Sequence, residues 1–169
     1  MTELSVQGLL QTMSKLIQVH ISLLELAEQK TNILVHNQVD KLNQIVNKET
    51  SSMKQITILD LQRIEDISAL LLERGYKPNP KITVGDIIKL VVKAEDKKLL
   101  SDAQKQLLGT IDQLREKNQL NQKLIEHSLA FIEYSMDLVL GPPDDGVTYQ
   151  NPSHQQQGLK RNGMFDSRA

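Results

Sequence analysis

The sequence predicts an all-α fold: an elongated helical hairpin followed by a long third helix. Together these form a three- to four-helix antiparallel bundle of coiled-coil-like character, with a disordered C-terminal tail. Three observations carry this expectation. Helix breakers are unevenly placed: residues 1–77 hold no Pro, residues 86–140 hold no Pro and only Gly109, and the chain from Gly141 onward holds three of the five prolines and four of the eight glycines. Inside a helix Pro costs about 3 kcal/mol and Gly about 1 kcal/mol, so this distribution separates helical stretches from a hinge near residues 75–85 and from a tail. Apolar residues recur at three- and four-residue steps, the spacing that lines one helix face. Finally, the one segment that could be a strand has no second candidate to pair with.

The first helix is expected from about Glu3 to His36. Leu9, Met13, Leu16, Leu23, Ala27 and Leu34 form its stripe, widened by Leu10, Ile17 and Leu24, while His20 and Lys30 occupy positions where the stripe is missed. Asn37 breaks the pattern, and Asn readily closes a helix or caps the next one. The second helix is expected from Val39 to about Glu73. Its heptad seam runs through Val39, Leu42, Val46, Met53 and Ile56, with Glu49 as a polar exception. Beyond Ile56 the phase slips to Leu61, Ile64, Ile67 and Leu71, a stutter that a seam tolerates at altered local winding. Gly75 supplies a stop, and Pro78 and Pro80 forbid a simple continuation. Two such helices joined at residues 36–38 form an antiparallel hairpin.

Thr83 followed by Asp86 resembles a capping box, although Glu or Gln is the preferred partner. Val84, Ile87, Ile88, Val91 and Val92 then suit either a short helix or, being largely β-branched, a strand; the helix is preferred for want of a pairing strand. The long last helix is expected from about Lys97 to Leu140, roughly 65 Å at 1.5 Å per residue. Its seam is Leu100, Leu107, Ile111, Leu114, Ile125, Ile132 and Val139, and Gly141-Pro142-Pro143 ends it. These elements make residues 1–140 one helical domain and residues 141–169 a flexible Pro-, Gly- and Gln-rich tail. The tail has too few large apolar residues to offset its ordering entropy. Its apolar islands, Val147 with Tyr149 and Leu159 with Met164-Phe165, are either incidental or a short docking motif.

Composition excludes most chemistry. A net charge of −1 argues against a nucleic-acid or anionic-membrane binder. The absence of Cys excludes disulfides, thiolate metal sites and thiol catalysis, and fits a reducing cytoplasm. No uncharged apolar run approaches the roughly 20 residues that span a bilayer, and the N-terminus lacks a signal-peptide pattern. There is no glycine-rich phosphate loop. The four His residues have no converging partners for zinc, and Asp144-Asp145 sit in a turn-like segment with no differing environments for acid–base work. Neither an enzyme nor a cofactor or metal site is expected.

The informative surface is the segment from Leu124 to Leu140. At 100° per residue its apolar side chains sweep an arc about 240° wide, more than double what a surface helix needs. Glu126, Glu133 and Asp137 confine charge to one wedge. One hairpin can cover about half of such an arc. Leaving four large side chains wet would forfeit on the order of 6–12 kcal/mol, at about 1.5–3 kcal/mol each. The arc is therefore either enclosed by a three- or four-helix core, a homodimer seam, or a groove for another protein's amphipathic helix. A membrane-surface role is disfavoured, because its polar wedge is acidic where lipid-binding helices are basic. Just upstream, Asn118, Gln119, Asn121 and Gln122 lie in or beside the seam, where buried amides would fix register; exposed positions suit them equally.

At these residues the chain resembles the FlgN family of flagellar export chaperones. The segment NQLNQKLIEHSLAFIEYSM, from Asn118 to Met136, carries the likeness. It is supported by LLELAEQKT, from Leu23 to Thr31, and by the closing Phe165-Asp166-Ser167-Arg168-Ala169. The resemblance implies an all-α cytoplasmic chaperone of flagellar type III secretion. It would bind the helical C-terminal end of the hook–filament junction proteins FlgK and FlgL, prevent their premature assembly or degradation, and deliver them to the export gate protein FlhA. Client binding would fall on Leu124, Ile125, Leu129, Phe131, Ile132, Tyr134, Met136, Val139 and Leu140. Gate docking would fall on Tyr149, with Phe165 as the second candidate. The alternative is a structural homo-oligomeric coiled-coil protein whose arc is a self-association seam.

Overall fold

A computed structural model describes residues 2–141, with side chains from Ser5 onward. The expected tail, with Tyr149 and Phe165, lies outside these described residues. Four helices follow one another: α1 (Thr2–Val35), α2 (Val39–Glu73), α3 (Val84–Leu90) and α4 (Ala94–Leu140). Among the described residues there is no strand, so the fold is all-α as expected. The chain divides into two compact units, Met1–Leu129 and Ala130–Ala169, and α4 contributes residues to both.

The helix ends follow from residues that tolerate a left-handed backbone. Asn37 has φ 52°, and after it the Gln38 N–H donates to the Ile33 carbonyl at 2.9 Å while the Asn37 N–H donates to Leu34 at 3.3 Å. Gly75, at φ 77°, repeats the pattern, with Tyr76 N–H on the Leu71 carbonyl and Gly75 N–H on that of Leu72. Both are Schellman closures, which satisfy carbonyls that a helix end would otherwise orphan. α1 ends one residue earlier than expected. α4 begins three residues earlier, at Ala94, because Glu95 and Asp96 suit the positive end of the helix dipole.

Within the first unit α1 and α2 form an antiparallel hairpin. Ser5 Oγ donates to Glu73 (2.7 Å), Thr12 Oγ1 to Asp66 (2.5 Å) and Lys30 Nζ to Glu49 (2.7 Å), so partners on α2 move back as α1 advances. α4 runs parallel to α1: Leu100 shares a core with Val6 and Leu9, and Asn121 bonds Ala27 and Thr31 about 21 residues further along both helices.

The segment left open between helix and strand is a helix. Thr83 and Asp86 form the full capping box, but the helix stops at Leu90, and Val91 is already extended. α3 packs across the open end of the hairpin. There Val84, Ile87 and Val91 join Leu9, Met13, Ile67, Leu70, Leu71 and Leu100 in one buried cluster. Arg74 ties the exit of α2 to α3 by donating to the Leu90 carbonyl at 2.6 Å.

The α1 stripe is buried as expected at Leu9, Met13, Leu16, Ile17, Leu23 and Ala27. The α2 seam is buried only in part. Ile67 and Leu71 are buried and Leu42, Ile56 and Ile64 half-buried, whereas Val39, Val46, Met53 and Leu61 are exposed. The other buried residues of α2 are Ile45 and Leu70. The heptad spacing places the seam residues on a shared face, but toward the turn at residues 36–38 no helix of this unit covers it.

Candidate functional site

The candidate surface belongs to the last turns of α4. A single helix of 47 residues exists because its one glycine, Gly109, sits exposed with nothing near its Cβ position, so it weakens the helix without breaking it. The helix stops at Gly141, whose φ of 80° lets its N–H close back onto the Asp137 carbonyl at 2.9 Å.

The nine predicted client-binding residues fall into two groups. Leu124 and Ile125 are half-buried within the first unit. Leu129, Phe131, Ile132, Tyr134, Met136, Val139 and Leu140 are exposed, Phe131 to 70% and Val139 to 82%. Leu138, exposed on the same arc, belongs with them. The arc's serines add little polarity, because Ser128 Oγ donates to the Leu124 carbonyl and Ser135 Oγ to that of Phe131, at 2.9 and 2.8 Å. Charge enters only through Glu126, Glu133 and Asp137. Exposed apolar surface of this extent on a helix marks a place for another molecule.

Upstream, the question of the four amides resolves residue by residue. Asn118, Gln119 and Gln122 are exposed, and Gln122 donates to Glu126 at 3.1 Å. Asn121 is buried, 3% exposed; its Nδ2 donates to the Ala27 carbonyl (2.9 Å) and its Oδ1 accepts from Thr31 Oγ1 (2.6 Å). Ala27 makes this possible, since only a small side chain lets the amide reach the α1 backbone.

Beside Asn121 lies an open cleft of about 290 Å³. Leu23, Met53, Leu114 and Ile125 give it apolar walls from α1, α2 and α4. Its charged members, Lys30 and Glu49, are paired with each other, and Asn118 and Gln122 sit on its α4 side. Met53, expected on the heptad seam of α2, is a wall of this cleft. Its heptad spacing was the signal, but spacing alone does not say what covers a face. Among the described residues no cluster of three or more His, Asp or Glu could hold a metal, and no helix is long and apolar enough to cross a membrane.

An exposed apolar helix face and, within the first unit, a cleft whose two charges are paired are each suited to a protein segment. Residues 1–157 match a family model described as FlgN protein. Over 167 residues, 98% of this chain and all of the relative, the sequence is 27% identical to a protein of Bacillus subtilis (strain 168) described as uncharacterized protein YvyG. No solved structure matches the chain.

Proposed function

The chain belongs to the FlgN family, whose role is that of a flagellar chaperone, and from that membership we propose that it escorts the hook–filament junction proteins FlgK and FlgL. In this reading it acts in the cytoplasm. It covers the C-terminal helical segment of the client, holds the client back from premature assembly and degradation, and delivers it to the export gate protein FlhA. The exposed apolar face of α4 from Leu129 to Leu140 supports the reading most directly.

The mechanism follows from burial. An amphipathic client helix laid on this face removes large side chains from water on both partners, each contributing about 1.5–3 kcal/mol. Part of that gain is consumed in ordering a segment that is unstructured when free. The net affinity is therefore moderate, as a chaperone that must release its client requires. Leu124, Ile125, Leu129, Phe131, Ile132, Tyr134, Met136, Val139 and Leu140 carry the contact. Gate docking is assigned to the chain beyond α4, with Tyr149 as the contact and Phe165 as the second candidate.

The test is calorimetric titration of purified FlgK and FlgL into the full chain and into a Leu129→Asp, Phe131→Asp double variant. Binding to the parent, lost in the variant while far-UV helicity persists, is the expected result. Binding that survives the double substitution removes the arc as the client surface.

A further inference from the structure

We propose that the exposed face of α2, with Val39, Val46 and Met53, is a second wall of the client site. An amphipathic helix of another protein then seats between α2 and α4 as the fourth helix of the bundle. The proposal rests on the client-binding reading above and adds to it residues remote in sequence from the α4 arc.

The argument comes from a comparison along α2. Met53 and Leu71 are 18 residues apart, five turns at about 3.6 residues per turn, so they point in the same direction. Leu71 is 1% exposed, in the cluster that α3 completes, whereas Met53 is 54% exposed. Val46 and Ile64 repeat the relation, Val46 being 41% exposed and Ile64 half-buried. One face of one helix is therefore covered at one end of the hairpin and bare at the other. At the covered end lies α3, a helix of only 7 residues whose Val84 and Ile87 share the cluster of Leu71; Arg74, just after α2, donates to its Leu90 carbonyl, and Gly85 lies close to Gln104 of α4. Above α3 the same berth between α2 and α4 is the open cleft walled by Met53, Leu114 and Ile125.

The berth defines its occupant. Its α2 wall continues from Met53 along an exposed face to Val39, about 21 Å at 1.5 Å per residue, the length of a helix of about 14 residues. Its walls are apolar, and its two charges neutralise each other at 2.7 Å. Its α4 side presents the amides of Asn118 and Gln122. The fitting segment carries an apolar stripe bordered by uncharged polar side chains. A second copy of this chain offering its own arc fits poorly, because that arc is edged by Glu126, Glu133 and Asp137. Those carboxylates would be dehydrated beside Glu49 with no unpaired cation in the cleft to receive them. Ile125 belongs both to the cleft and to the predicted client-binding residues, so α2 and this part of α4 receive one client helix.

The experiment measures FlgK and FlgL binding by calorimetry to the full chain and to Val46→Asp, Met53→Asp and the Leu129→Asp, Phe131→Asp double variant. Sedimentation and far-UV circular dichroism are run on each. Because Val46 and Met53 are exposed, their variants keep the parental helicity. Each is expected to weaken client binding at least about tenfold, the scale of an interface hot spot. Unchanged affinity in both α2 variants, with loss in the α4 double variant, overturns the second wall and leaves the arc as the client surface. A parent that binds neither junction protein overturns the client reading itself. A tight dimer that the α2 substitutions dissociate, with client affinity unmoved, assigns the berth to a second copy and also overturns the proposal.

Discussion

Lys30 Nζ lies 2.7 Å from Glu49 Oε2, and the two side chains are only 17% and 19% exposed. Each interrupts an apolar seam, one on α1 and one on α2, and the two interruptions meet. An ion pair this sheltered loses hydration on both sides, so its net contribution is small, whereas leaving one partner alone is unfavourable. Lys30→Met is therefore expected to destabilise by about 1–2 kcal/mol, below the 3–5 kcal/mol of a fully buried pair. Lys30→Met combined with Glu49→Leu should recover most of that loss. Urea unfolding of both variants checks the sign of the difference.

Asn121 fixes the register of α4 on α1. Its amide donates to the Ala27 carbonyl and accepts from Thr31, with the side chain buried. Asn121→Ala deletes both bonds and opens a void, for an expected loss of about 1–3 kcal/mol. Asn121→Leu is expected to retain more stability but to let α4 slide, since a leucine packs at more than one register. Hydrogen exchange of α4 amides separates the two outcomes: faster exchange in Asn121→Leu at near-parental stability is the signature.

α3 is held by its cap and is sensitive to acid. The Asp86 carboxylate accepts from Thr83 Oγ1 at 2.7 Å and from the Thr83 N–H at 3.1 Å, and these bonds hold its pKa below that of an ordinary aspartate. A carboxyl with a lowered folded pKa stabilises fully above its unfolded pKa. That stabilisation fades as pH falls through the folded value. The box is thus intact at neutral pH and lost only below the ordinary carboxylate range. Asp86→Asn should flatten this part of the acid limb, and Thr83→Ala should cost about 1 kcal/mol at neutral pH. Thermal melts between neutral and strongly acidic pH test both.

Helix ends were legible in the sequence because their chemistry is local. Asn37, Gly75 and Gly141 all adopt the left-handed backbone that few residues accept, and Thr83 with Asp86 needs only its own three-residue spacing. The α1 stripe was legible because one helix face there is covered along its length. The α2 seam was legible toward Ile67 and Leu71 but not toward Val39, for the opposite reason. Period alone puts Val46 and Met53 on one face, but whether that face is core or berth depends on the short reach of α3. The width of the α4 arc was visible from periodicity. Its division at Leu124 and Ile125, which are half-buried, was not, because it depends on the three-dimensional register set by Asn121.

Stability and client capture should separate cleanly along α4. Leu100 is fully buried in the cluster that joins all four helices. Leu100→Ala removes apolar burial and leaves a cavity, for an expected loss of about 2.5–5 kcal/mol. Phe131 is larger but 70% exposed, so Phe131→Ser removes little that folding had buried. Its effect should stay within about 0.5 kcal/mol, the range of ordinary surface sites. If unfolding midpoints show Phe131→Ser to be as damaging as Leu100→Ala, then Phe131 is held by the protein's own fold. A Phe131→Ser chain that melts like the parent leaves its aromatic ring with no role in the fold, which is the condition for it to serve a client.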